Sequence, residues 1–278
     1  FSVSRIVDRF LKLNEEGRAG LVTFITAGDP EVKVSEEIFA GLPASGADII
    51  ELGMPFTDPM ADGPAIELAS QRALKAGQTM AKTFSMVKRF RENESQTPVV
   101  LMGYYNPIYA YGIEKFSKDA SESGIDGVII VDLPPEEEEE FLIPARAFGI
   151  EIIRLIAPTS DDARLPSLVN NASGFIYYVS VRGITGTKSA DTKDVAKNLK
   201  RIKQYTDLPV VVGFGIKTPE QAAEIALCAD GVVVGTAIVE RIHNSLENVG
   251  SEKKDLVNEV LKFVSELAGG VRSARRKS

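Results

Sequence analysis

Eight short runs rich in valine and isoleucine, spaced along nearly the whole chain and separated by amphipathic segments, constrain this sequence more than anything else in it. The runs are LVTFITAG (21 to 28), ADIIELGMP (47 to 55), TPVVLMGYY (97 to 105), DGVIIVDLP (126 to 134), EIIRLIAP (151 to 158), GFIYYVSV (174 to 181), LPVVVGFGI (208 to 216) and ADGVVVGTAIV (229 to 239). They are continuous rather than alternating in apolar character, as strands buried on both faces of a parallel sheet must be. Between them, segments such as VSEEIFAGLPASG, KTFSMVKRFREN and DVAKNLKRIKQYT place apolar residues three and four apart, the pattern of helices lying on a sheet. Eight such units without a break in composition predict α/β architecture, a single (β/α)8 barrel of the TIM type spanning residues 1–278 as one domain. VSRIVDRFLKLNEEG predicts an extra amino-terminal helix over the barrel bottom, and residues 270–278 are expected to form a disordered tail. The run Glu136 to Glu140 is expected to be a solvated first helical turn.

Charge and cysteine usage then exclude several functions. A net charge of −7 leaves no basic face for nucleic acid or an anionic membrane. One cysteine, Cys228, and one histidine, His243, supply neither a disulfide nor a zinc cluster, so no metal is expected. No apolar stretch approaches the roughly 20 residues of a membrane span, and an export signal core is lacking near Phe1, so a cytoplasmic setting is expected.

Barrel enzymes carry their chemistry at the carboxyl ends of the strands. There the second run ends in ELGMPFTDPMADGP, which sets Glu51 among Ile49, Ile50, Leu52 and Met54 and follows it with Asp58 and Asp62. A carboxyl in such apolar company is costly to ionise, so its pKa is expected to rise toward the range useful for proton transfer. Glycines cluster after the sixth run (RGITGTKSA), at the seventh (Gly213, Gly215) and in the eighth (Gly235 before Thr236), where backbone N–H groups and helix starts suit a phosphate. Phe24, Tyr104, Tyr105, Tyr177, Tyr178 and Phe214 add aromatic surface at strand ends. A phosphorylated small molecule with a flat apolar part is the expected ligand. Another phosphate-binding barrel, such as an isomerase of amino-acid biosynthesis, and a non-catalytic activating partner stay open as alternatives.

ELGMPFTDPMADGP, with LMGYYNPI (101 to 108), VDLPPEE (131 to 137), GITGTK (183 to 188), GFGI (213 to 216) and GVVVGTAIV (231 to 239), closely resembles the α subunits of tryptophan synthase. The resemblance implies retro-aldol cleavage of indole-3-glycerol phosphate to indole and glyceraldehyde 3-phosphate. It implies no cofactor in this subunit, pyridoxal phosphate belonging to a β-subunit partner in an α2β2 assembly that receives the indole. Matched residue by residue, it makes Glu51 the acid/base and Asp62 the acceptor of the indole N–H. Phe24, Tyr104, Ile129, Tyr177 and Phe214 would line the indole pocket, and Thr185 would belong to a mobile lid after the sixth strand, the loop after the second also moving. Gly186, Gly215, Gly235 and Thr236 would hold the phosphate, while Asp58, Asn106 and Pro107 would meet the β subunit. Thr57, Glu67 and Thr236 depart from that pattern, standing where serine, glutamine and serine are usual.

Overall fold

The computed structural model describes residues 4–180, 192–213, 215–247 and 253–277. Every expected apolar run contains a strand: β1 (Gly20–Thr26), β2 (Ile49–Gly53), β3 (Val99–Gly103), β4 (Gly127–Ile130), β5 (Glu151–Ile152) and β6 (Arg154–Ile156), β7 (Ile176–Val179), β8 (Val210–Gly213) and β9 (Gly231–Val234). All pairings are parallel, in the order β5-β4-β3-β2-β1-β9-β8-β7-β6. The two ends of that order, β5 and β6, are halves of one run interrupted only at Ile153. The sheet therefore closes on itself as an eight-stranded TIM barrel.

Alternation along each strand divides the core in two. Val22, Ile49, Val100, Ile129, Ile153, Phe175, Tyr177, Val211 and Val233 pack together inside the barrel. The intervening residues, Leu21, Ile50, Leu101 and Val212 among them, face the surrounding helices. Helix Arg5–Glu15 closes the bottom as expected: its Ile6, Phe10 and Leu13 join the inner cluster, with the Phe10 and Phe175 rings 5.7 Å apart.

An aspartate opening each of three strand runs ties neighbouring strands at this bottom edge. Asp48 accepts the Leu21 N–H, Asp126 that of Val99 and Asp230 that of Val210, each at 2.8 Å. Arg18 binds Asp48 through two nitrogens, and Arg5 and Arg91 both bind Asp126. Asp48 and Asp126 thus each satisfy a strand N–H and a nearby cation at once, which offsets their desolvation.

Two expectations change. The expected tail is instead the end of helix Lys253–Ser273 and a short 3-10 turn, Ala274–Lys277, anchored where Arg275 donates to the carbonyls of Ala226 (3.0 Å) and Ala229 (2.7 Å). Those carbonyls sit at and just past the end of helix Pro219–Ala226, where the carbonyls of the last turn have no intrahelical donor. The glutamate run is not uniformly solvated either. Glu138 is 2% exposed, pairs with Arg154 of β6 and accepts from Asn171 Nδ2 at 2.8 Å, while Glu136 pairs with Arg164. Among the described residues no helix is long and apolar enough to cross a membrane.

Candidate active site

The parallel register sets Phe24 beside Glu51 on adjoining strands, with both side chains turned inward near the carboxyl end. Glu51 is fully buried, and neither carboxyl oxygen has a hydrogen-bond partner among the described residues. Among the described residues no cation offsets this, and burial pushes its pKa up to about 8. Tyr177 shares the inner cluster, and burial together with the charge of an ionised Glu51 raises its hydroxyl well above the ordinary range.

Glycine is needed where these rings cross the strand ends. A β-carbon on Gly53 would come 2.6 Å from Phe24 Cζ, one on Gly235 3.1 Å from Phe24 Cβ, and one on Gly213 2.7 Å from Tyr177 Cζ. Gly213→Ala is therefore expected to lower stability by about 1–3 kcal/mol through overpacking. Urea unfolding of that variant, alone and with Tyr177→Phe, would check it, since removing the hydroxyl relieves part of the clash.

Asp62 lies on the loop between β2 and helix Pro64–Lys75, where Pro64 in the first turn ends the loop cleanly. Tyr104, just past β3, accepts the Ala61 N–H at 3.0 Å, meets the Asp62 carboxyl through the same hydroxyl and packs its ring 5.7 Å from Phe56. Partial burial pushes Asp62 up to about 6, the Tyr104 hydroxyl draws it down, and the charge of Glu67 adds to the rise. The two acids consequently differ: near neutral pH Glu51 is protonated and Asp62 ionised.

Helix Pro64–Lys75 is held over the barrel mouth from two sides. Its Ala69 packs with Phe24 and Val239. Its Arg72 binds the wholly buried Asp29 carboxylate of the loop after β1 through two nitrogens, at 2.6 and 3.0 Å. Neither member of that pair stands out in the sequence, because they are 43 residues apart and each looks like an ordinary surface charge.

The glycine-rich side of the mouth is only partly described. Gly215 has φ +77°, a conformation glycine adopts without strain. Gly235 and Thr236 open helix Thr236–Glu247, whose first N–H groups lack intrahelical partners and can face an anion. Thr185, Gly186 and Phe214 lie outside the described residues. Ile129 is fully buried in the inner cluster. Asp58 and Asn106 are exposed and Pro107 half-buried, on the loop after β2 and on helix Tyr105–Tyr111. The Tyr104 contact with Ala61 brings those two elements side by side.

Two carboxyl groups with separated pKa values, set against an aromatic wall in a barrel mouth, can move protons on a small aromatic ligand. Such a mouth is the arrangement of a barrel suited to carboxyl acid–base chemistry. A family model, "Tryptophan synthase alpha chain", matches residues 10–271. A solved tryptophan synthase subunit alpha from Legionella pneumophila str. Paris is 38% identical, with a TM-score of 0.90 over 98% of this chain and 100% of that one. A tryptophan synthase structure from M. tuberculosis, in its aminoacrylate-bound form, is 32% identical with a TM-score of 0.85, over 97% of this chain and 100% of that one. The chain belongs to the tryptophan synthase alpha chain family.

Proposed function

We propose that Glu51 and Asp62 carry out the reaction of this family in this chain, the retro-aldol cleavage of indole-3-glycerol phosphate to indole and glyceraldehyde 3-phosphate. The burial of Glu51, with no partner for either oxygen among the described residues, carries the reading. A group held at about 8 rests protonated near neutral pH, ready to act first as an acid. It gives its proton to indole C3, turning the ring into an indoleninium cation that serves as the electron sink. The ionised Asp62 accepts the ring N–H and stabilises that charge as it develops. Glu51, now a carboxylate, takes the proton of the glycerol hydroxyl beside C3 as the carbon–carbon bond breaks. The bonding electrons return to the ring, the aldehyde forms, and Glu51 ends protonated as it began.

The remaining assignments belong to the same proposal. Phe24, Tyr104, Ile129, Tyr177 and Phe214 line the indole pocket; Gly186, Gly215, Gly235 and Thr236 hold the phosphate, and Thr185 belongs to a lid over the mouth. Since the indole ring is its own electron sink, the cleavage calls for no metal or organic cofactor in this subunit. We also propose that the chain acts as one barrel domain in the cytoplasm, in an α2β2 assembly with a pyridoxal-phosphate-dependent β subunit reached through Asp58, Asn106 and Pro107. Family membership disfavours the isomerase alternative, and the buried, chemically poised Glu51 disfavours a purely activating partner.

Indole release from indole-3-glycerol phosphate, assayed without metal or pyridoxal phosphate and then with a tryptophan synthase β subunit added, tests the reading. Slow release that rises sharply with the β subunit is expected. No release in either condition would sink it.

A further inference from the structure

A guanidinium on the outer face of a barrel strand is costly to desolvate unless it is held by good partners. Ile153 and Leu155 pack inside the barrel, so strand alternation turns Arg154 outward. Arg154 is 6% exposed there, and burial pushes its pKa down to about 10, which leaves it charged at neutral pH. Its Nη1 donates to the Leu133 carbonyl at 3.0 Å and its guanidinium pairs with the buried Glu138. Both contacts end on the segment after β4.

That segment also carries Asp132, which accepts the Tyr105 N–H at 2.8 Å. Tyr105 opens helix Tyr105–Tyr111, and Tyr104 before it makes no side-chain cap of its own. Asp132 supplies from a neighbouring loop the acceptor that a capping residue would provide. Its charge also bears on the Tyr104 hydroxyl, the group that takes the Ala61 N–H and meets Asp62. A continuous set of contacts thus runs from Arg154 through Leu133 and Asp132 to Tyr104 and the Asp62 loop.

We propose that Arg154 is a positioning residue for the reaction centre, anchoring the loop after β4 so that Asp132 caps helix Tyr105–Tyr111 and keeps Tyr104 aimed at Asp62. The proposal deepens the reading given above and rests on Asp62 facing the substrate.

Two variants test it in the full chain. Asp132→Ala changes an exposed side chain and spares the core. Arg154→Met with Glu138→Gln removes the anchor without leaving an unpaired buried charge. Asp62 is followed in each by carboxyl carbon NMR titration, and indole release is measured alongside. The Asp62 midpoint, about 6 in the unaltered chain, is expected to rise in both variants. Tyr104 is the contact that draws it down, while burial and Glu67 persist in holding it up. The kcat for indole release is expected to fall about tenfold with KM held within about twofold, because misplacing Asp62 weakens the transition state more than substrate binding. Asp132→Asn keeps an acceptor and should restore both quantities, and the two sets of changes combined should add nothing beyond either. An Asp62 midpoint and a kcat unchanged in folded Asp132→Ala would overturn the proposal. An unaltered chain that released no indole would overturn the functional reading instead, and the Asp62 midpoints would still decide this one.

Discussion

Replacing Glu51 by Gln is expected to reduce indole release by about a thousandfold, the scale of lost general acid–base catalysis, and to make the chain harder to unfold above pH 8. Both effects come from one property. The carboxyl ordinarily titrates near 4.5 and is pushed to about 8 by burial alone. Between those values the folded chain holds a proton that the unfolded chain has released, so stability falls as pH rises through the window and the loss is complete above about 8. An uncharged glutamine of nearly the same shape has no charge to desolvate and escapes that loss. Urea unfolding at pH 6 and pH 9 checks the prediction: the difference between the two pH values should be smaller in Glu51→Gln than in the unaltered chain. Equal pH dependence in the two would mean that Glu51 is solvated or paired in the folded state, and undiminished turnover would remove it from the mechanism. A residue whose replacement gains stability and loses activity is a mark of a site kept for chemistry rather than folding.

The same contrast between local and distant partners decides what the sequence reveals. The strands are legible because burial on both faces forces continuous apolar runs, and Glu51 is legible because it interrupts one of them. Boundaries are less so. The last run, 229 to 239, reads as one strand, yet it holds β9 and the start of helix Thr236–Glu247, whose buried Ala237, Ile238 and Val239 are as apolar as the strand itself. Asp62 can be picked out from its place before Gly63 and Pro64. Asp132 cannot, since its role depends on a helix start 27 residues away. Nor can composition say that Glu138 alone of five glutamates turns inward. That choice is made by Arg154, whose place on the outer face of β6 is fixed by the register of the closed barrel. The arginine that holds Asp29 is hidden for the same reason. Patterning finds groups defined by their neighbours in the chain, and misses those defined by neighbours in space.

Asp62→Asn is expected to lower kcat/KM for indole release by about 100- to 1,000-fold and to erase the acid limb of its pH profile. Asparagine keeps a carbonyl oxygen that can accept the indole N–H, so the substitution removes charge while leaving a hydrogen bond possible. If the carboxylate served only to orient the ring, most activity would survive; a large loss means that it stabilises the cation formed when C3 is protonated. The pH profile separates the two acids. In the unaltered chain kcat/KM requires Asp62 ionised and Glu51 protonated, so it should rise through about 6 and fall through about 8. Asp62→Asn should keep the alkaline limb and lose the acid one. Glu67→Gln should move the acid limb downward, because the charge that helps hold Asp62 up is gone. An acid limb that persisted in Asp62→Asn would belong to another group and would separate the loop after β2 from the chemistry of the mouth.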